Sequence, residues 1–293
     1  MKISEILERK QPTLSFEVFP PKTSDLFESV EKATNEIAAL KPDFMSVTYG
    51  AGGGTSKYTT AIASNVQDSY QVVSLAHLTC VNATKESIAE RVNDLKDHHI
   101  ENILALRGDL PQGVENTSGW QFQHADELVH EIKKYGDFCI GGACYPEKHP
   151  ESANSKEDIV NLKKKVDAGC SFLTTQMFFD NSIFYNYLYK VRESGINVPI
   201  VAGIMPVTNA KQMARILKLS QAFVPRRFVA LLDKYSDNPA AMKQAAIAYA
   251  TDQIIDLLAN DINAIHIYTM NKPDIAAKIQ ENLSEIIPSC KKN

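Results

Sequence analysis

Cysteine is scarce in this 293-residue chain: Cys80, Cys139, Cys144, Cys170 and Cys290 make an odd set with no C-x-x-C pair. That excludes the disulfide framework of a small secreted domain, and buried free thiols in a reducing compartment are the simplest reading. Long hydrophobic runs are missing too. No stretch approaches the ~18 uninterrupted apolar residues of a membrane span, and the opening "MKISEILERKQPTLSFE" has no apolar leader. The expectation is a cytoplasmic protein that does not enter a membrane. Positive charge is in deficit, with a net charge of −4 and a pI near 6.0. The densest basic patch, "LKKKVD" at 162–167, is too short for a nucleic-acid surface. Linkers, low-complexity tracts and repeats of fixed period are absent as well.

What is present is an alternation. Eight short β-rich runs recur: Leu14–Phe19, Phe44–Tyr49, Val72–Thr79, Ile103–Arg107, Cys139–Tyr145, Phe172–Phe178, Val198–Ile204 and Ala264–Thr269. Amphipathic stretches separate them, such as 25–40, 84–98 and 156–169; the last carries Ile159, Leu162 and Val166 on one face and Gly169 as a stop. The long connection from 207 to 263 has room for an extra helix within 224–241, with Asn238-Pro239 starting the next. Alternating β and α with near-continuous apolar strands implies a parallel sheet covered by helices. Eight units fit an α/β fold of the (β/α)8 TIM-barrel type, typically about 250 residues long. The rival, a doubly wound open sheet, normally has a Gly-rich first turn; "FPPKTS" has no glycine. The reading is one catalytic domain spanning residues 1–293.

In such barrels the site lies at the C-terminal strand ends. There the sequence turns polar: Glu17 in run one, Ser46 and Thr48 in run two, His77 in run three, Arg107 and Asp109 after run four, Tyr145 in run five, Thr174 and Gln176 in run six, Tyr268 and Lys272 in or after run eight. Leu14, Phe16 and Val18 should face the helices, which turns Glu17 inward. A lone strand-end glutamate is usually just solvated, and Arg107 with Asp109 reads equally as a structural pair. "HLTC" spaces His77 and Cys80 like metal ligands, but no second pair accompanies them, so no metal site is expected. "YGAGGGTSK" at 49–57 fits no phosphate-loop pattern and reads as a flexible βα loop. No G-x-S-x-G, Cys-His nucleophile or kinase set occurs. The residues alone define a barrel enzyme with an inward acid. A flavin-free aldolase or metal-assisted lyase using Glu17, His77 and Asp109 remains open, as does a binding barrel without turnover.

The ordered motifs "SFEVFPPKT", "SVTYGAGG", "AHLTC", "LALRGD", "YPEKHPES", "NLKKKVDAG", "TTQMFFD" and "GIMPV", extended by "HIYTMNK", run from residue 14 to 272. In that order, the chain resembles the methylenetetrahydrofolate reductase family in its short bacterial form. The resemblance implies a (β/α)8 flavoprotein and a homo-oligomer. It implies reduction of 5,10-methylenetetrahydrofolate to 5-methyltetrahydrofolate by NADH or NADPH through FAD, ping-pong, for methionine synthesis, without the regulatory domain of the longer eukaryotic enzymes.

By the same resemblance Glu17 is the general acid and Asp109 the carboxylate beside flavin and pterin. Burial at an apolar strand end is expected to lift the pKa of Glu17 toward working pH. Thr48 contacts the nicotinamide cofactor, and Gln176 the folate and nicotinamide. The FAD shell comprises Tyr49, Ala51, His77, Arg107, Gly108, Asp109, Ala125, Tyr145, His149, Asp158, Asn161, Lys164 and Lys165, where the lysines face the pyrophosphate. Asp158, Asn161 and Lys165 are spaced to share a helix face, while Lys163 reads as solvated. Gln212 and Lys272 fall at substrate positions. Lys272 and Lys164 stand where the family often has arginine, which keeps the charge and loses the bidentate fork.

Overall fold

A computed structural model of the chain describes all residues except 10–11, 22, 50–55, 111–112, 115–116, 210–212, 214–215, 217–221 and 291–293. Each of the eight apolar runs contains a strand: β1 (Thr13–Val18), β2 (Phe44–Val47), β3 (Val73–Thr79), β4 (Asn102–Leu106), β5 (Cys139–Cys144), β6 (Phe172–Thr175), β7 (Ile200–Ile204) and β8 (Ala264–Tyr268). Every neighbouring pair is parallel, and β1 pairs with both β2 and β8, so the sheet closes on itself in the order β1 to β8. The (β/α)8 barrel is therefore the fold. Two runs overshoot their strands by more than one residue. Thr48 and Gln176 still make one sheet-type bond each, to the Val18 and Cys144 carbonyls. Beyond them the chain leaves the ladder to form the loops at the barrel mouth.

The helices follow their sequence signals. Thr84 accepts from Ser87 N–H, and the Ser87 hydroxyl accepts from Thr84 N–H, a capping box that starts Lys85–Asp97. Asn154 caps Ser155–Ala168, which ends at Gly169 with φ +128°. Arg226–Tyr235 forms in the long connection, and Asn238 caps Pro239–Ala259 with Pro239 in its first turn. The stretch 25–40 opens differently: a 3-10 turn, Ser24–Leu26, precedes the helix Phe27–Ala38.

Alternation along the strands makes two cores. Leu14, Phe16 and Val18 point outward into the layer between sheet and helices, beside Met45, Val47, Ile103, Ile265 and Ile267. The inward residues near the strand starts, Phe44, Leu75, Leu104, Cys139, Phe172 and Val201, fill the lower barrel. The helix Ile3–Arg9 closes that end by adding Ile3, Ile6 and Leu7, and Ile3 N–H donates to Asn102 Oδ1 at 2.8 Å. With the lower barrel dry, the upper layer holds the polar inward residues.

Candidate active site

Glu17 enters that upper layer because β1 places it opposite Ser46 of β2 and Tyr268 of β8. Its Oε2 lies 3.2 Å from Ser46 Oγ, 3.5 Å from His77 Nε2 and 3.7 Å from His266 Nε2. The carboxylate is 18% exposed, His77 7% and His266 2%, so the carboxylate alone of the three reaches toward the mouth. His266 also stands 3.1 Å from Ser46 Oγ through Nε2 and 2.8 Å from Ser15 Oγ through Nδ1. The Phe44 ring stacks on it at 5.9 Å. Tyr268 donates to the Thr175 carbonyl. That reach requires glycine at 203, where a Cβ would sit 2.6 Å from the tyrosine oxygen and 2.5 Å from the Thr175 carbonyl.

The electrostatics correct one expectation. Burial does push the Glu17 carboxyl upward. The adjacent His266 imidazole, then His77 and the Ser46 hydrogen bond, together outweigh it, and the pKa ends below the ordinary carboxylate value. His77 is pushed down by burial to about 4, with Glu17 opposing the shift. Its Nε2 is buried and lacks a hydrogen-bond partner.

A second group lines the rim on β4, β5 and the loops after them. Arg107 does not pair with Asp109: its guanidinium grips Glu151 with two bonds of 2.5 and 2.6 Å, and Asp109 is exposed. Gly108 follows Arg107 with φ +90°. Tyr145 meets His149 edge to face at 4.7 Å, and His149 Nδ1 accepts from Glu151 N–H at 3.2 Å. Asp158 is buried and accepts from Ser152 Oγ at 2.9 Å. Lys165 reaches inward to the Ala143 carbonyl, and burial lowers its pKa. The expected shared face of Asp158, Asn161 and Lys165 divides. Asp158 and Lys165 turn toward the sheet, whereas Asn161 is exposed and accepts from Lys164 Nζ at 3.0 Å. Lys163 pairs with Asp167 at 3.1 Å on the solvent side. Ala125 opens the helix Ala125–Ile132.

The remaining predicted residues are spread around the mouth. Thr48 is half-buried, and its carbonyl accepts from Thr59 Oγ1 at 3.0 Å. Tyr49 lies under the Arg91 guanidinium at 5.1 Å. Gln176 folds back to accept from Met177 N–H at 2.9 Å. Lys272 donates to Thr208 Oγ1 at 2.7 Å. Ala51 and Gln212 lie outside the described residues. His77 and Cys80 do not converge: His77 points into the barrel, while Cys80 packs in the outer core with its sulfur 3.7 Å from the His124 carbonyl. Sequence reading overlooked Ser15, His266 and Glu151. His266 shares a strand face with the strand-end Tyr268, two residues before it in "HIY", and Glu151 sits within "YPEKHPES".

A closed α/β barrel that gathers a carboxylate, two imidazoles and a hydroxyl at its C-terminal mouth has these groups where (β/α)8 enzymes place their active sites. Comparison with known proteins narrows the class. The family model for methylenetetrahydrofolate reductase matches residues 2–284, and the chain belongs to that family of oxidoreductases. It is 36% identical over 270 residues to the 5,10-methylenetetrahydrofolate reductase of Pectobacterium carotovorum subsp. carotovorum, covering 92% of this chain and 89% of that one. The Escherichia coli (strain K12) enzyme is 34% identical over 273 residues, with 93% and 91% covered. Methylenetetrahydrofolate reductase (NADH) 1 of Arabidopsis thaliana is 38% identical over 300 residues, covering 97% of this chain and 50% of the plant protein. The chain thus spans about half the length of its plant relatives and nine-tenths of its bacterial ones. A solved structure of an uncharacterized Clostridium thermocellum protein, described as binding two copies of 5-methyl-5,6,7,8-tetrahydrofolic acid, superposes with a TM-score of 0.61 over 96% of this chain and 98% of that one. At 14% identity it speaks for the shared fold alone.

Proposed function

We propose that this barrel reduces 5,10-methylenetetrahydrofolate to 5-methyltetrahydrofolate, with a nicotinamide dinucleotide as electron donor and FAD as the resident cofactor. The observation that carries the reading is Glu17. It is an inward carboxylate at the mouth, in contact with Ser46 and within 3.7 Å of two imidazoles, inside a chain that matches the reductase family over residues 2–284.

The residues present fit FAD. His77 Nε2 is a buried polar atom without a hydrogen-bond partner, Lys165 reaches the Ala143 carbonyl near the end of β5, and Arg107, Gly108, Tyr145, His149 and Asp158 line one side of the mouth. FAD, when bound, supplies the hydride-carrying centre that accepts from the nicotinamide and gives to the folate in alternate, ping-pong half-reactions. The chain's own residues do the rest. Lys165 and Lys164 supply positive charge toward the pyrophosphate, and His77 offers its free nitrogen. Thr48 and Gln176 receive the nicotinamide and the folate in turn, and Lys272 and Gln212 hold the folate. Asp109, exposed beside the mouth, stabilises positive charge on the pterin. Glu17 protonates N10 of the folate, which opens the five-membered ring and exposes the electrophilic 5-iminium carbon to hydride. The product leaves as a methyl donor for methionine synthesis.

Two measurements test this. The purified protein should be yellow, or turn so on adding FAD; a colourless protein that binds no flavin sinks the reading. In stopped flow, Glu17→Gln should keep flavin reduction by NADH or NADPH within about twofold. It should slow reoxidation by methylenetetrahydrofolate by roughly 100-fold or more, the usual scale of a lost general acid. Equal rates of both half-reactions in variant and parent remove Glu17 from the role.

A further inference from the structure

An acid that donates to a substrate must hold a proton, yet the surroundings of Glu17 favour its charged form. The hydrogen bonds behind it show where the proton goes. Ser15 Oγ lies 3.0 Å from the Ile265 carbonyl and 2.8 Å from His266 Nδ1. A carbonyl only accepts, so the single Ser15 hydroxyl proton goes to Ile265, and His266 Nδ1 must carry a proton and donate. Nε2 is then the nitrogen free to gain or lose one. Ser46 Oγ lies 3.1 Å from that Nε2 and 3.2 Å from Glu17 Oε2. Ser46 also has one proton. If it donates to an ionised Glu17, Nε2 must be protonated to bond Ser46. If it donates to a bare Nε2, Glu17 must be protonated. Both bonds exist together only when one proton is shared between the carboxyl and the imidazole.

We infer that Glu17, Ser46 and His266 form one proton relay, in which His266 Nε2 stores the proton inside the barrel and the Ser46 hydroxyl carries it to Glu17. The inference rests on the reading of Glu17 as proton donor. The step balances. The Ser46 proton passes to Glu17 Oε2, the Ser46 oxygen takes the Nε2 proton, and Glu17 gives its proton to the substrate nitrogen. One proton has then left the imidazolium and one has reached the substrate. His266 ends neutral, Ser46 intact and Glu17 ionised. The positive charge has moved outward, toward the developing cation. His266 and Ser46 are positioning residues; Glu17 alone meets the substrate.

The other groups around the relay do not compete for the proton. On β3, His77 titrates near 4 and stays neutral at ordinary pH. On β8, burial raises the Tyr268 phenol well above its usual value, and its hydroxyl is committed to Thr175. In the sheet register β7 sets only Gly203 opposite His266.

The first test needs no turnover and no variant for its result. In histidine-15N-labelled protein, long-range 1H–15N spectra read both ring nitrogens of His266, assigned by the loss of its signals in His266→Gln. In the neutral ring Nδ1 should carry the proton, with Nε2 the nitrogen that gains or loses one; a neutral ring protonated at Nε2 instead overturns the inference. The second test separates relay from simple support. Ser46→Ala should slow the folate half-reaction roughly 10-fold or more and leave flavin reduction and folate affinity unchanged, with Ser46→Thr restoring part of the rate. His266→Gln, which cannot store a proton, should shift the alkaline limb of that half-reaction to lower pH. Unchanged rate and pH profile in folded Ser46→Ala and His266→Gln protein overturn the relay. A parent protein without folate-dependent flavin oxidation defeats the functional reading instead, and the NMR result stands apart from it.

Discussion

Glu17 and His77 make the site acid-sensitive, and both act in the same direction. The native His77 resists protonation until about pH 4, whereas an unfolded histidine protonates near 6.5. Between those values the unfolded chain binds the extra proton, so stability falls as pH drops through the window. Glu17 adds to this at lower pH. Its native pKa is depressed, so its contribution is present above the ordinary carboxylate value and is lost as pH falls through the native one. For His77 the shift corresponds to at most about 3 kcal/mol. Urea midpoints measured from pH 7 to pH 4 should fall in the parent and fall less steeply in His77→Gln; parallel slopes would assign the acid lability elsewhere. At this scale the site was half legible. Glu17 stood out by alternation and His77 and Tyr268 as polar strand-end residues, whereas His266 looked like one more residue of a buried run. The downward pull on Glu17 was hidden because its largest part comes from that missed histidine.

Three consecutive elements around the barrel, β8, β1 and β2, carry His266, Glu17 and Ser46, and the parallel register alone brings them together. The neighbouring β7 contributes by having no side chain at 203. Gly203→Ala should push Tyr268 off the Thr175 carbonyl and cost about 1–3 kcal/mol, the usual penalty of overpacking. Thermal melts measure the cost. A variant as stable as the parent would mean that β7 shifts to make room. The helices repeat the lesson in milder form. Asn238→Ala removes the side-chain acceptor for Ala241 N–H and should cost about 1 kcal/mol without altering activity.

For the whole molecule, the division between a dry lower barrel and a polar mouth decides what can be changed safely. The helix Ile3–Arg9 seals the lower end, and Ile3 is fully buried there. Ile3→Ala should cost about 2–5 kcal/mol, as for other buried aliphatic truncations, visible as a lower denaturation midpoint. Under the proposed function both half-reactions should keep their rates, because the mouth is at the opposite end; a loss of activity in the folded variant would show that the two ends are coupled. Among the described residues no helix is long and apolar enough to cross a membrane.

Read in order, the amino acids established the barrel, the outward set Leu14, Phe16 and Val18, the helix start at Asn238, the stop at Gly169 and the inward turn of Glu17. These rest on periodicity and local hydrogen bonding, both of which act over a few residues. Tertiary structure decided the partners. Arg107 bonds Glu151 rather than Asp109, Asn161 turns away from Asp158 and Lys165, and Ser15, Ser46 and His266 gather behind Glu17 from strands up to 251 residues apart. Closing β8 onto β1 makes those contacts. No local pattern records that closure, since it depends on the register of all eight strands at once.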